Sequence, residues 1–303
     1  MLCFKCNTEN PDYHKFCYTC GRVLTENIEK LNNSILKPNP DSPLMKLSFV
    51  LEVNNLIDKA IEELEKEIVK HPAWPDLKFK IARCYELKGY TNKAEAFYIE
   101  ALKINPRYIE AKRCLGELYK KEKLWEKAKE EFISLLNIHP RYYYADVYNN
   151  LGVAWEKLGE FEKAKESYEK AISINPRYAK ALYNLGNIYF ATNDLEKAIE
   201  FYQKSINSYS GYAACHNNLG IAYGCKENYQ SAEKSFQKAI ELEPDYSEAH
   251  HNLATIYYQQ GKLVEALEEF KKTVELDESN EEAHRFIIEI ENLLSSKKHQ
   301  AGA

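Results

Sequence analysis

YNNLGVAWEKLGEFEKAKESYEKAISINPRY, residues 148–178, decides the fold. Leu151, Gly152 and Trp155 share one helical face at the i, i+1, i+4 spacing, and Gly159 interrupts the pattern. Ala164, Tyr168, Ala171 and Ile172 mark a second face that ends before Pro176. The spacing predicts two helices joined by a tight turn. The same text returns as ALYNLGNIYFATNDLEKAIEFYQKSI, as CHNNLGIAYGCKENYQSAEKSFQKAI and as HHNLATIYYQQGKLVEALEEFKKTV. The hairpin is therefore a repeating unit and the chain an array of it.

With Gly152 set as the eighth position of a 34-residue register, position 8 is small throughout: Ser48, Ala82, Gly116, Gly186, Gly220 and Ala254. Position 20 is alanine seven times: Ala60, Ala94, Ala128, Ala164, Ala198, Ala232 and Ala266. Small side chains at these points let paired helices approach, while Tyr, Phe, Trp or Leu at positions 11 and 24 fills the space between them. Position 32 is Pro72, Pro106, Pro140, Pro176 and Pro244, with Ser210 and Glu278 as substitutes; proline stops the second helix.

This pattern resembles the tetratricopeptide repeat over residues 41–280, as seven units: 41–74, 75–108, 109–142, 145–178, 179–212, 213–246 and 247–280. The resemblance implies an all-α, right-handed solenoid of seven helix hairpins. The first unit is the most degenerate, with Ser48 and Leu51 in place of the usual Gly and Tyr. Two extra residues near Tyr143 and Tyr144 lengthen one proline spacing from 34 to 36. Residues 281–297 carry Ala283, Phe286, Ile287, Ile290 and Leu294 on one stripe, the pattern of a helix capping the last unit. Residues 298–303 read as a disordered tail.

Ahead of the array, Cys3, Cys6, Cys17 and Cys20 form C-x2-C-x10-C-x2-C. Two residues between cysteines turn both thiolates of a pair toward one ion, and two such pairs supply the tetrahedral sulfur shell that Zn²⁺ accepts. So short a segment buries too little apolar surface to fold alone, so metal binding would supply most of its folding free energy. Asn10-Pro11 and Phe16-Cys17 match the short zinc-ribbon of many prokaryotic proteins, which this stretch (1–22) resembles; Asn7 replaces that family's usual Gly. The resemblance implies a structural zinc. A redox reading of the C-x-x-C pairs lacks a βαβ context, and a catalytic zinc would keep an open coordination position that four cysteines close. Lys5, Lys15 and Arg22 leave a nucleic-acid contact open, although Glu9 and Asp12 nearly cancel them. Residues 23–40 read as a linker ending in KPNPDSP, with a short helix possible over Leu24, Ile28, Leu31 and Ile35.

The 303 residues are 45% apolar and 29% charged with a formal charge of −5, an ordinary globular composition with no basic footprint for nucleic acid or anionic lipid. No apolar run is long enough to span a membrane, and the expected location is cytoplasmic, where eight cysteines are reduced or metal-bound. Lys outnumbers Arg 34 to 7 and Glu outnumbers Asp 38 to 8. That bias fits heat-adapted proteins and charged helix faces alike.

In tetratricopeptide proteins, positions 2, 5, 6, 9, 12 and 13 point into a concave groove built from the first helix of each unit. Position 6 is Asn150, Asn184, Asn218 and Asn252 in four successive units, flanked by Asn149, Tyr183, Asn187, Asn217 and His251. An amide both donates and accepts, so such a column is suited to holding an extended peptide by its main chain. It resembles the asparagine ladder of O-linked N-acetylglucosamine transferases; a soluble polar helix face is the plainer reading. The carboxylate clamp for acidic chaperone tails is matched in type by Arg113, Asn150 and Lys180. Glu117 and Asn184 depart from it, and Glu117 would repel an incoming carboxylate. Asp76, Glu110 and Asp146 favour a neutral or basic ligand unless Arg83 and Arg113 pair these acids. His250 reads as core and His251 as groove lining.

No phosphate loop, nucleophile elbow or supported acid pair is visible. The expectation is a non-enzymatic scaffold that binds an extended segment of a partner protein, takes no small-molecule substrate and touches no membrane. The alternatives are an adapter whose ribbon touches nucleic acid, and the regulatory subunit of a separate enzyme.

Overall fold

The computed structural model describes residues 43–138 and 145–301. The four ribbon cysteines, the linker and the two extra residues near Tyr143 lie outside the described residues. Every described element is a helix. The chain forms two compact units, Met1–Ile174 and Asn175–Ala303.

In the first unit, α1 (Pro43–Lys70) precedes three hairpins: α2 (Pro75–Leu87) with α3 (Thr91–Ile104), α4 (Ile109–Lys121) with α5 (Trp125–Ile138), and α6 (Ala145–Lys157) with α7 (Phe161–Ile174). In the second, α8 (Ala179–Ala191) pairs with α9 (Leu195–Ser208), α10 (Ala213–Cys225) with α11 (Tyr229–Leu242), and α12 (Ser247–Gln259) with α13 (Leu263–Leu276); α14 (Glu281–Ala301) follows. Within each unit, the second helix of a hairpin also packs on the first helix of the next.

All six hairpins close through one turn. The N–H at position 16 bonds the carbonyl at position 11, as in Glu160 to Trp155 at 2.9 Å, and the N–H at position 15 bonds position 12, as in Gly159 to Glu156 at 3.0 Å. This Schellman pairing puts position 15 in the left-handed region. Gly89, Gly159 and Gly261 suit it, but Lys123, Asn193 and Glu227 hold φ of 59°, 61° and 58° there. A side chain costs about 1–2 kcal/mol in that conformation, which the packing of the two helices must offset.

That packing is a small-to-large contact. A methyl group at Gly152 would lie 2.5 Å from Cε1 of Tyr168, and the equivalents at Gly116, Gly186 and Gly220 would lie 2.6–2.7 Å from Phe132, Tyr202 and Phe236. Position 8 is thus bare so that the ring at position 24 can lie on the backbone. The position-20 alanines from Ala94 to Ala266 have no exposed surface.

The first unit of the register departs from expectation. Where a hairpin over 41–74 is expected, α1 runs unbroken for 28 residues through Asn55, the register equivalent of the left-handed turn residues. Reversal at Asn55 would carry the left-handed penalty. Ser48 and Leu64 at positions 8 and 24 offer less apolar area in return than glycine and an aromatic ring, and Pro43 starts the helix favourably. With no helix folded back on it, Ala60 is exposed, unlike its six equivalents.

At the other end, Ala283 and Ile290 are fully buried, and Phe286 stacks on Phe270 with centroids 4.8 Å apart. α14 covers the last hairpin through the expected stripe. It continues to Ala301 where a disordered tail is expected from 298, because no helix breaker occurs before Gly302.

Candidate binding face of the first helices

Positions 2, 5, 6, 9 and 12 lie on the first helix of each hairpin, and the two units use them differently. In the first unit they form ion pairs. Arg83 Nη1 donates to Glu86 Oε2 at 2.9 Å, and Tyr98 donates to the same oxygen at 2.5 Å. Arg113 Nη1 lies 3.5 Å from Glu117 Oε1 and 3.6 Å from Asp146 Oδ2. Burial pushes the Glu117 carboxyl upward, with Arg113 opposing it and Asp146 reinforcing it. Asp76 accepts from the Tyr108 hydroxyl, and Asn150 Oδ1 accepts from Lys120 Nζ at 2.7 Å. The acids that would bias this half toward a cation are in large part already satisfied, and Arg113 is engaged with two carboxylates.

The second unit carries amides instead. Asn218 Nδ2 donates both to the Tyr183 hydroxyl and to Asn187 Oδ1, each at 3.0 Å, and Asn187 Oδ1 also accepts from Tyr202 at 2.8 Å. Asn252 Nδ2 donates to Asn217 Oδ1 at 3.0 Å, and the fully buried Asn217 donates to Glu248 Oε1 at 3.1 Å. Each of these bonds except Tyr202 to Asn187 links neighbouring hairpins. The column therefore serves the stacking of repeats as well as any ligand, and part of its hydrogen-bonding capacity is already used. In the first unit, Asn149 and Asn150 are buried. Asn184 is half-buried and Lys180 exposed.

The two adjacent histidines differ in burial. His250 is buried, with Nδ1 2.6 Å from Glu269 and Nε2 3.1 Å from the Pro244 carbonyl. His251 is half-buried, edge-on to Phe270, with Nε2 3.7 Å from Glu282. Two relationships escape a residue-by-residue reading. His216, His250 and His284 all occupy position 4, and each places Nε2 at 3.1–3.2 Å from the position-32 carbonyl of the preceding unit. A carbonyl only accepts, so Nε2 carries the proton. Likewise the position-24 tyrosines Tyr98 and Tyr168 find their partner in the glutamate at position 12. The recurrence of His and Tyr at fixed register positions was the available signal.

Among the described residues, no cluster of three His, Cys, Asp or Glu could hold a metal. Cys84, Cys114, Cys215 and Cys225 are free thiols. Burial pushes Cys114 up to about 11 and Cys215 up to about 12, so neither is an activated nucleophile. No helix among the described residues is long and apolar enough to cross a membrane.

Tetratricopeptide-repeat family patterns match residues 75–108, 145–178, 177–245 and 226–287, together more than half of the chain. No curated protein sequence matches. Among solved structures, MamA is 31% identical with a TM-score of 0.50, over 54% of this chain and 95% of that one. YrrB, described as a TPR protein with an unusual peptide-binding site, is 24% identical with a TM-score of 0.53, over 63% of this chain and 97% of that one. The Cut9-Hcn1 hetero-tetramer of the APC/C is 17% identical with a TM-score of 0.63, over 87% of this chain and 51% of that one. The last two likenesses concern the fold.

Proposed function

Because the chain belongs to the tetratricopeptide-repeat family across the regions matched above, we propose that it is a non-enzymatic interaction scaffold. It binds an extended segment of a partner protein on the first-helix face, chiefly in the second unit. The observation that carries this reading is the amide column. Asn218 and Asn252 are held by bonds to neighbouring repeats yet keep carbonyl oxygens that no other side chain occupies among the described residues. Held acceptors in a row are suited to main-chain capture because little side-chain entropy is lost on binding. YrrB, with a peptide-binding site on the same fold, supports the reading.

The reading includes a structural zinc held by Cys3, Cys6, Cys17 and Cys20. The donor set fits: four thiolates at paired spacing satisfy a closed tetrahedral shell. Zinc would fold this short stretch and leave the helical array to stand on its own packing.

The test is a pull-down with the full chain and with Asn184→Ala/Asn252→Ala, each variant's melting curve recorded alongside. With capture measured well below the variant's melting midpoint, which loss of the Asn252–Asn217 bond lowers, a partner captured by the wild-type chain should be lost by about tenfold, roughly 1.4 kcal/mol. Undiminished capture would reduce the column to inter-repeat packing.

A further inference from the structure

We propose that the binding face of the second unit recognises hydrogen-bond donors, and so takes an extended segment carrying lysine or arginine in preference to a neutral or acidic one. This rests on the groove reading above and adds the chemistry of the ligand.

The orientation of the amides carries the argument. An asparagine offers two N–H donors and a carbonyl acceptor. Both donors of Asn218 are taken, one by Tyr183 and one by Asn187. Asn252 spends Nδ2 on Asn217, whose own Nδ2 goes to Glu248. Asn218 therefore retains only Oδ1, while Asn252 retains Oδ1 and one N–H. Among the described residues the one buried side-chain nitrogen or oxygen without a partner is His251 Nδ1, so these two carbonyl oxygens lie where solvent, or a ligand, reaches them. The sequence alone treats such a column as neutral between donors and acceptors; at Asn218 and Asn252 the inter-repeat bonds spend N–H groups and leave the carbonyls, which tips the balance toward acceptors.

The charged groups at the same register positions point the same way. Glu248 and Glu282 are exposed, Glu248 bonding Asn217 and Glu282 lying 3.7 Å from His251. Glu289 accepts from Tyr258 at 2.6 Å. Lys180 and Arg285 are the cations at these positions, two against three carboxylates. An incoming carboxylate would meet the Asn218 carbonyl and these acids, whereas an ammonium or guanidinium would find the carbonyls of Asn218 and Asn252 and the carboxylates of Glu248 and Glu282 as acceptors. In the first unit the polarity is reversed at Asn150, whose carbonyl is held by Lys120, and Arg113 already pairs Glu117 and Asp146. The donor preference therefore belongs to the second unit.

The experiment is fluorescence anisotropy with the full chain and three labelled, unstructured peptides of equal length: alternating Lys-Ser, Glu-Ser and Gly-Ser. It is run at about 150 mM salt, where exposed charges beyond roughly 8 Å are screened. The Lys-Ser peptide should bind about tenfold tighter than either other. Glu248→Gln/Glu282→Gln should abolish most of that difference, while Glu265→Gln/Glu268→Gln, equal in charge but on the second helix of the hairpin, should stay within about twofold of wild type. Equal losses in both pairs would mean general attraction to an acidic chain and would overturn the proposal. Binding that depends on Glu248 and Glu282 but ignores lysine would overturn the donor preference and leave the groove reading intact. Absence of Lys-Ser binding overturns the proposal, while the pull-down above tests the groove reading separately.

Discussion

Tyr168 donates its buried hydroxyl to Glu156 at 2.7 Å, joining position 24 of one repeat to position 12 of the same repeat. The two positions vary together along the chain. Tyr98 donates to Glu86. Where position 12 is Phe190, Tyr202 turns to Asn187 instead. Where position 24 is Phe132, Phe236 or Phe270, position 12 is Lys120, Gly224 or Tyr258, and no buried hydroxyl needs a partner. The array thus satisfies each buried phenol locally, as a fully buried polar group requires.

Tyr168→Phe should destabilise the chain by about 1–2 kcal/mol, because it leaves Glu156 without its donor. Tyr168→Phe/Glu156→Lys, which reproduces the Phe132 and Lys120 combination, should recover most of that loss. Urea denaturation monitored by circular dichroism measures both, with the pair read as a double-mutant cycle.

The same phenols give a pH dependence. Burial first, then Glu156, raises the Tyr168 pKa above its unfolded value, and burial dominates likewise at Tyr98 and Tyr202. The unfolded chain therefore releases these protons first as pH rises. Their contribution is fully present below about pH 10 and is lost above it, at up to about 1.4 kcal/mol per pH unit for each phenol. Replacing all three by phenylalanine should flatten the alkaline limb of the stability profile.

The turns offer a gain. Lys123→Gly and Glu227→Gly should each stabilise by about 1 kcal/mol, since glycine removes the left-handed penalty at φ of 59° and 58°. Gly159→Ala should lose a similar amount. Thermal melts of the three single variants check the opposite signs.

Much of this was legible in the sequence. Gly89, Gly159 and Gly261 announce their turns by residue type, and the position-20 alanines announce the buried seam. Lys123 and Glu227 do not, because neither favours the left-handed region; only their register gives them away. Asn55 shares that register and yet stays helical in α1, because turn formation is decided by the area the two helices bury, which Ser48 and Leu64 reduce. The candidate face was legible in residue type but not in the orientation of its amides. Whether Asn218 presents N–H or C=O depends on Tyr183 and Asn187 in the preceding repeat, and Arg113 is taken up by acids at positions 117 and 146.

Position 8 should tolerate one carbon and no more. Gly186→Ala is expected to stay within about 1 kcal/mol of wild type, because the helix-propensity gain of about 1 kcal/mol offsets a ring shift that the Ala82–Tyr98 and Ala254–Phe270 pairs already accommodate. Gly186→Leu should cost about 3 kcal/mol or more by displacing Tyr202. Denaturant midpoints of the two variants separate these outcomes.

The full chain should carry one zinc ion, lost in Cys3→Ser/Cys6→Ser, while its far-ultraviolet dichroism remains that of the helical array. Metal analysis of the purified protein, before and after a chelator, measures it.

The central claim is that a partner segment lies along the first helices of the second unit. A photo-crosslinking residue placed at Lys180, and in a separate chain at Glu268, tests it most directly, with the crosslinked partner mapped by mass spectrometry. Crosslinks from position 180 to one contiguous stretch of a partner, and few or none from 268, are the expected result. Crosslinks that form from 268 and not from 180 would place the partner on the second helices and contradict the account.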